Sequence, residues 1–169
     1  MKNIYRIIDA NINRAAEGIR VLEDLARFNF ESSSITKKMR NLRHKLRKNI
    51  AFLDYKMLSS RNSAEDLGKE ISQKTLNDRK NSEKQLIFSN FKRAQEAVRN
   101  IEENLKILGK NELSKDYELI RFALYEMEKE FALLSNKNIP EGIYGITAEK
   151  FSRGRKNIEV VREMIKGGI

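Results

Sequence analysis

Cysteine is absent from the 169 residues. That excludes a disulfide framework, a thiolate metal site and a cysteine nucleophile. There is a single histidine, His44, so two histidines cannot share a metal. One proline, Pro140, and eight glycines leave the chain few breaks. No run approaches the roughly 18 apolar residues of a membrane span. The N-terminus "MKNIYRIIDANINR" has neither the apolar core nor the small-residue cleavage site of a secretion signal, so a cytoplasmic protein is expected. G-x-x-x-x-G-K-[ST] and G-x-G-x-x-G are both missing, and Gly68-Lys69-Glu70 is too little to replace them. Any nucleotide chemistry here works without the common phosphate loops.

What is present is charge. Charged residues make up 34% and apolar ones 40%, with a formal net charge of +10. A basic surface attracts nucleic acid, acidic membranes or phosphorylated small molecules, and net charge alone does not choose among them. The length suits one compact domain with a small appendage.

Four long helices follow from the apolar spacing. Ile8, Ile12, Ala15, Ile19, Leu22 and Ala26 step by four and three along one face. After the start signal Ser32-Ser33-Ser34, Ile35, Met39, Leu42, Leu46, Ile50 and Leu53 do the same. A third helix opens at Ser82, with Gln85 three residues on in a capping-box pattern. It carries Ile87, Phe91, Ala94, Val98, Ile101, Leu105 and Leu108, and Gly109 stops it. The fourth carries Leu113, Tyr117, Ile120, Leu124, Met127, Phe131 and Leu134. The expected fold is all-α: an up-down four-helix bundle with shallow crossings. Residues from about 54 to 81 form a long link, of the kind that is functional or holds short structure. Residues 136–142 read as a linker. In the remainder, "IYGIT" reads as a buried strand and "RKNIEVVREMIK" as a short helix.

The first and third helices share a pattern. "NINRAAEGIRVLED" begins at Asn11 and "NFKRAQEAVRNIEE" at Asn90, 79 positions later. Arg14 aligns with Arg93, Glu17 with Glu96, Arg20 with Arg99 and Glu23 with Glu102. At an offset of 78, Leu42, Arg43 and Leu46 align with Ile120, Arg121 and Leu124. Two related helical hairpins about a pseudo-twofold axis are expected. The plainer account of the charges is ion pairs three residues apart on a solvated face; Arg20, Glu23, Arg99 and Glu102 lie away from the apolar seam and suit it. Arg14 differs. At about 100° per residue it falls between Gly18, Val21 and Leu25 on one side and Asn11 and Leu22 on the other. An arginine within an apolar arc needs a partner or a ligand. Glu17 and Glu96 are candidate partners. Arg93 has the same setting, and Arg43 and Arg121 border their apolar faces. Arginine forks converging on one groove suit phosphate oxygens. His44, between Arg40 and Arg47, is either part of a solvated basic face or a phosphate contact.

The stretches "DANINRAAEGIRVLEDLARF", "LRHKL", "RNSAEDLG", "NFKRAQEAVRNIEE" and "IRFALYEMEK", in that order over about residues 4 to 135, resemble the small helical hydroxymethylpyrimidine phosphate kinases of thiamine biosynthesis. These occur alone or fused ahead of thiamine phosphate synthase. The tail "GIYGITAEKFSRGRKNIEVVREMIKGGI" resembles the first strand and helix of that synthase, a TIM barrel. The resemblance implies a kinase domain over 1–135, a linker over 136–142, and over 143–169 one incomplete strand–helix unit of the barrel. It implies ATP and Mg²⁺ as cofactors. Arg14, Arg93 and Arg61 would meet phosphates, with Arg43, Arg121 and His44 in support. Asp66 would serve Mg²⁺ and catalysis. Asn11 and Asn90 would read a pyrimidine or ribose edge, and Glu17 and Glu96 would hold the arginines. The family tends to have Asp after the loop arginine; here the pair is Arg61-Asn62, which leaves Asp66 as the loop acid.

Three rivals remain. A basic bundle binding RNA is opposed by the interleaved acids and by the few exposed aromatics expected beside the basic residues. Thiamine phosphate synthase would name a whole polypeptide, but a barrel takes about 250 residues, so synthase activity is not expected of this chain alone. A helical mutase such as chorismate mutase would use the arginines on carboxylates. A membrane partner is not expected; a homo-oligomer stays open, since the unpaired "IYGIT" strand would be a template for pairing with a second copy. The bundle is expected to survive a cut near Pro140.

Overall fold

The computed structural model describes residues 2–62 and 82–137, together with Arg162. Asp66, the rest of the loop beyond Asn62, and the strand and helix expected over 143–169 lie outside the described residues. The described residues form five α-helices and no strand. These are α1 (Lys2–Phe28), α2 (Ser33–Lys48), α3 (Asp54–Ser59), α4 (Glu83–Ile107) and α5 (Asn111–Lys137), with a 3₁₀ turn at Ala51–Leu53. The core described below belongs to one compact unit, Met1–Ala132.

Local chemistry sets the helix ends. The Ser32 hydroxyl accepts from the Ile35 N–H at the start of α2, and Lys45, Arg47 and Lys48 sit at its end, where the helix dipole favours cations. The Ser82 hydroxyl accepts from the Gln85 N–H at 3.2 Å and opens α4. Gly109 closes α4 at φ +69°. The Lys110 N–H reaches back to the Leu105 carbonyl and the Gly109 N–H to that of Lys106, both at 2.9 Å. This is the paired C-terminal motif that needs a left-handed residue, and glycine takes that conformation at little cost.

The helices pack as a bundle. α1 lies against both α2 and α4. α5 is tied to α4 by the edge-to-face pair Phe91–Phe131, ring centroids 5.3 Å apart. It is tied to α2 by the buried Tyr117 hydroxyl, which donates to the Leu46 carbonyl at 2.6 Å. Burial pushes the Tyr117 phenol far above its ordinary range, so it stays a donor. The α1 seam is buried at all six expected positions, as are Phe91, Ala94, Val98, Ile101, Leu105, Tyr117, Ile120, Leu124 and Phe131. Leu42, Leu108, Leu113 and Leu134, read as inward, are only half-buried. The link after α2 is also not loop from Asp54: Asp54–Ser59 is helical and buries Met57. Among the described residues no helix is long and apolar enough to cross a membrane.

Candidate functional site

A cleft of about 520 Å³ opens between α1 and α4. Asn11, Arg14 and Glu17 line it from α1; Arg93, Glu96, Ala97 and Asn100 line it from α4. Each helix presents its repeated Arg and Glu one turn apart, so both copies of the pattern meet across one opening. Both arginines are exposed. Among the described residues neither makes an ion pair or hydrogen bond. They do not lie in the apolar arc that the spacing suggested. Glu17 and Glu96 stand on the same walls, but no ion pair joins them to these arginines, so they do not hold the guanidinium groups in place. A site with two unpaired guanidinium groups can receive an anion without first breaking a salt bridge.

The other arginines are engaged elsewhere. Arg43 donates to Glu23 at 2.9 Å, and Arg40 and Arg20 reach the same carboxylate. Its repeat partner Glu102 accepts from Arg121 and, at 3.0 Å, from Arg99. Both carboxylates have side chains only 1% exposed. Arg43 and Arg121, expected to support phosphates, are thus turned onto buried acids inside their own hairpins and do not line the cleft. Glu23 and Glu102, read as part of a solvated face, are the least exposed acids of the repeat. Burial pushes the Glu23 carboxyl up, but hydrogen bonds from Arg43 and Arg40 and the charges of Arg43 and Arg20 outweigh it and hold the group below its ordinary value of 4.5. The Arg121 guanidinium is held above its ordinary value, chiefly by its hydrogen bond to Glu102.

Arg61 comes from the far end of α3 to form a two-pronged bond with Asp9 of α1, one prong at 2.8 Å. That bond raises the Arg61 value and commits the loop arginine to a partner. His44 lines a separate hollow of about 280 Å³ with Arg47, Lys48 and Asp54. Asn11 and Asn90 are buried alike. Each donates Nδ2 to the carbonyl four residues back, Ile7 and Leu86, at 2.8 Å. Only Asn11 also lines the cleft. Asn100 is a cleft residue that the repeat did not disclose, because the repeat has Val21 at the equivalent place.

The depressed value at Glu23 has a pH consequence. A carboxylate favoured in the folded state contributes stability above its unfolded value and loses it as pH falls through its folded value. The melting temperature should therefore drop as pH falls below about 4.5. Glu23→Gln should melt lower at pH 7 and decline less steeply in acid. A set of circular-dichroism melts from pH 3 to 7 measures both.

The chain belongs to the ThiD2 family, which matches residues 6–130. It is 40% identical over 172 residues to a thiamine-phosphate synthase of Prochlorococcus marinus (strain AS9601), covering 98% of this chain and 46% of that protein. Against the thiamine-phosphate synthase of Thermosynechococcus vestitus the identity is 31% over 173 residues, covering 99% and 47%. Against that of Nostoc punctiforme it is 31% over 125 residues, covering 74% and 34%. The chain thus spans less than half the length of these curated relatives. No solved structure matches it significantly.

Proposed function

We propose that this chain acts in thiamine biosynthesis as a phosphotransferase, moving a phosphoryl group from ATP to 4-amino-5-hydroxymethyl-2-methylpyrimidine phosphate. The observation that carries this is the cleft in which Arg14 and Arg93 face one opening with no partner among the described residues. The acceptor is itself a phosphate, largely deprotonated near neutral pH, so no strong general base is needed. The barrier is the approach of two polyanions, and positioned positive charge is the remedy. Arg14 and Arg93 supply it from opposite walls.

The donor set suits a Mg²⁺ that arrives on phosphates. No group of three or more metal-ligating side chains stands among the described residues. Glu17 and Glu96 give two carboxylates on the cleft walls, and Mg²⁺ bound with phosphates uses one or two. When bound, the ion would neutralise charge on the donor phosphates. Asp66 stays a candidate for the same duty.

The relatives are named for the synthase reaction, and that name suggests a covalent link between this domain and a synthase barrel. Residues 143–169 resemble one strand–helix unit where a barrel takes eight, so we propose that this unit alone does not couple pyrimidine and thiazole phosphates. One assay tests both parts. The purified chain with ATP, Mg²⁺ and the pyrimidine phosphate should form the diphosphate. Adding thiazole phosphate should give no thiamine phosphate. Lack of diphosphate would overturn the kinase reading, and coupled product would overturn the second assignment.

A further inference from the structure

We infer that the open end of the cleft, between Asn11 and Asn100, reads the amidine edge of a heteroaromatic ring: a ring nitrogen beside an exocyclic amino group. This rests on the kinase reading and specifies which part of a substrate the cleft recognises.

The two arginines are related by the repeat, but the cleft around them is not symmetric. Asn11, Ala97 and Asn100 line it. Their repeat equivalents Asn90, Gly18 and Val21, all described residues, do not. The cause is at Gly18. A Cβ built there would stand 3.0 Å from the Asn90 carbonyl oxygen and 3.7 Å from the Ala94 methyl. The backbones of α1 and α4 therefore nearly touch at that end. In the other half the equivalent residue is Ala97, and there the helices leave an opening.

The hydrogen bonds at the open end bias what each amide has left to offer. Asn11 donates one Nδ2 hydrogen to the Ile7 carbonyl at 2.8 Å, and its Oδ1 accepts no hydrogen bond among the described residues. The Asn100 Oδ1 accepts from Asn104 at 2.9 Å, and its Nδ2 donates none among the described residues. An acceptor and a donor on facing helices complement an amino group and a ring nitrogen. A single asparagine reads the adenine amino and ring-nitrogen pair in the same sense. At the Gly18 end Val21 takes the place of Asn100, so that amide is not repeated there. Phosphates would sit toward Arg14 and Arg93, with the ring toward the amides.

Two reactants present this edge: the aminopyrimidine of the acceptor and the adenine of the donor. Calorimetric titrations of the full chain separate them, using the aminopyrimidine phosphate, ATP, inosine triphosphate and inorganic pyrophosphate. Inosine triphosphate lacks the amino group, and pyrophosphate lacks a ring. Asn100 is exposed, so Asn100→Ala should fold as wild type. It should weaken one of the two amino-bearing ligands by about fivefold to tenfold, the worth of one hydrogen bond. Asn100→Asp should weaken it further, because its carboxylate faces the ring nitrogen. Pyrophosphate and inosine triphosphate should change less than about twofold, within the scatter of distant substitutions. The ligand that weakens is the one read there. If neither amino-bearing ligand weakens while Arg14→Ala still loses pyrophosphate, the inference fails and the anion cleft stands. An equal loss for all four ligands would make Asn100 a shaper of the cleft and also overturn the inference. If pyrophosphate does not bind wild type, the kinase reading and the inference fall together.

Discussion

Arg14→Ala and Arg93→Ala are each expected to lower diphosphate formation by about 10³–10⁵, the range for an arginine that stabilises a phosphoryl-transfer transition state. Both side chains are exposed and make no ion pair among the described residues. Neither substitution should therefore move folding stability by more than about 0.5 kcal/mol, or roughly 2 °C in melting temperature. Arg20→Ala is the control. That side chain is half exposed and pairs with Asp24 at 3.1 Å and with Glu23 at 3.4 Å. It should cost little turnover. Steady-state rates with both substrates varied, taken beside melting curves, separate the outcomes. Equal loss of activity in all three variants would mean that the cleft arginines have no special role.

Arg121→Ala is expected to be the most destabilising single change in the repeated pattern, by about 3 kcal/mol, toward the lower end for a broken buried ion pair. Its partner Glu102 is 1% exposed. Without Arg121 that carboxylate keeps, among the described residues, only Arg99, itself half exposed. Arg43→Ala should cost distinctly less. Glu23 is equally buried, but Arg40 and Arg20 remain to satisfy it. The difference comes from one position: Arg40 of the first hairpin corresponds to Glu118 of the second. At roughly 2–4 °C per kcal/mol for a chain of this size, the Arg121 variant should melt about 10 °C below wild type. Urea titrations of the two variants would expose equal losses, and equal losses would mean that Arg40 and Arg20 do not compensate.

The α1 seam, most of the other seam positions, the Ser82 cap and the Gly109 stop are legible, because each depends on neighbours within a turn or two of one helix. The facing of Arg14 and Arg93 across one cleft is legible for a different reason: the repeat implies it. What escaped was set across helices. Arg20 and Glu23 are three apart, and that spacing is usual for a surface pair. Nothing along α1 shows that Arg40 and Arg43 arrive from α2 and cover the same carboxylate. Arg43 and Arg121 were read toward the cleft for the same reason, since a position at the border of a face does not say which acid the long side chain will meet. Asp54–Ser59 escaped because six residues are too few to display a helical period. Asn100 escaped because the repeat directs attention to matched positions, and its importance comes from a mismatch.

The unequal halves bear on the direction of the chemistry. Two separate copies of one hairpin, joined by a true twofold axis, would show every cleft residue twice. A ligand without that axis would then fit in two equivalent ways, and a change that tuned one end would tune the other. In a single continuous chain the two halves vary independently: Gly18 brings the helices close at one end, while Ala97 and Asn100 line the cleft at the other. Phosphoryl transfer has a donor and an acceptor that must not be exchanged. On the proposed phosphotransfer, joining the hairpins covalently would let one pair of arginines serve both reactants while the amides set which of them faces which way.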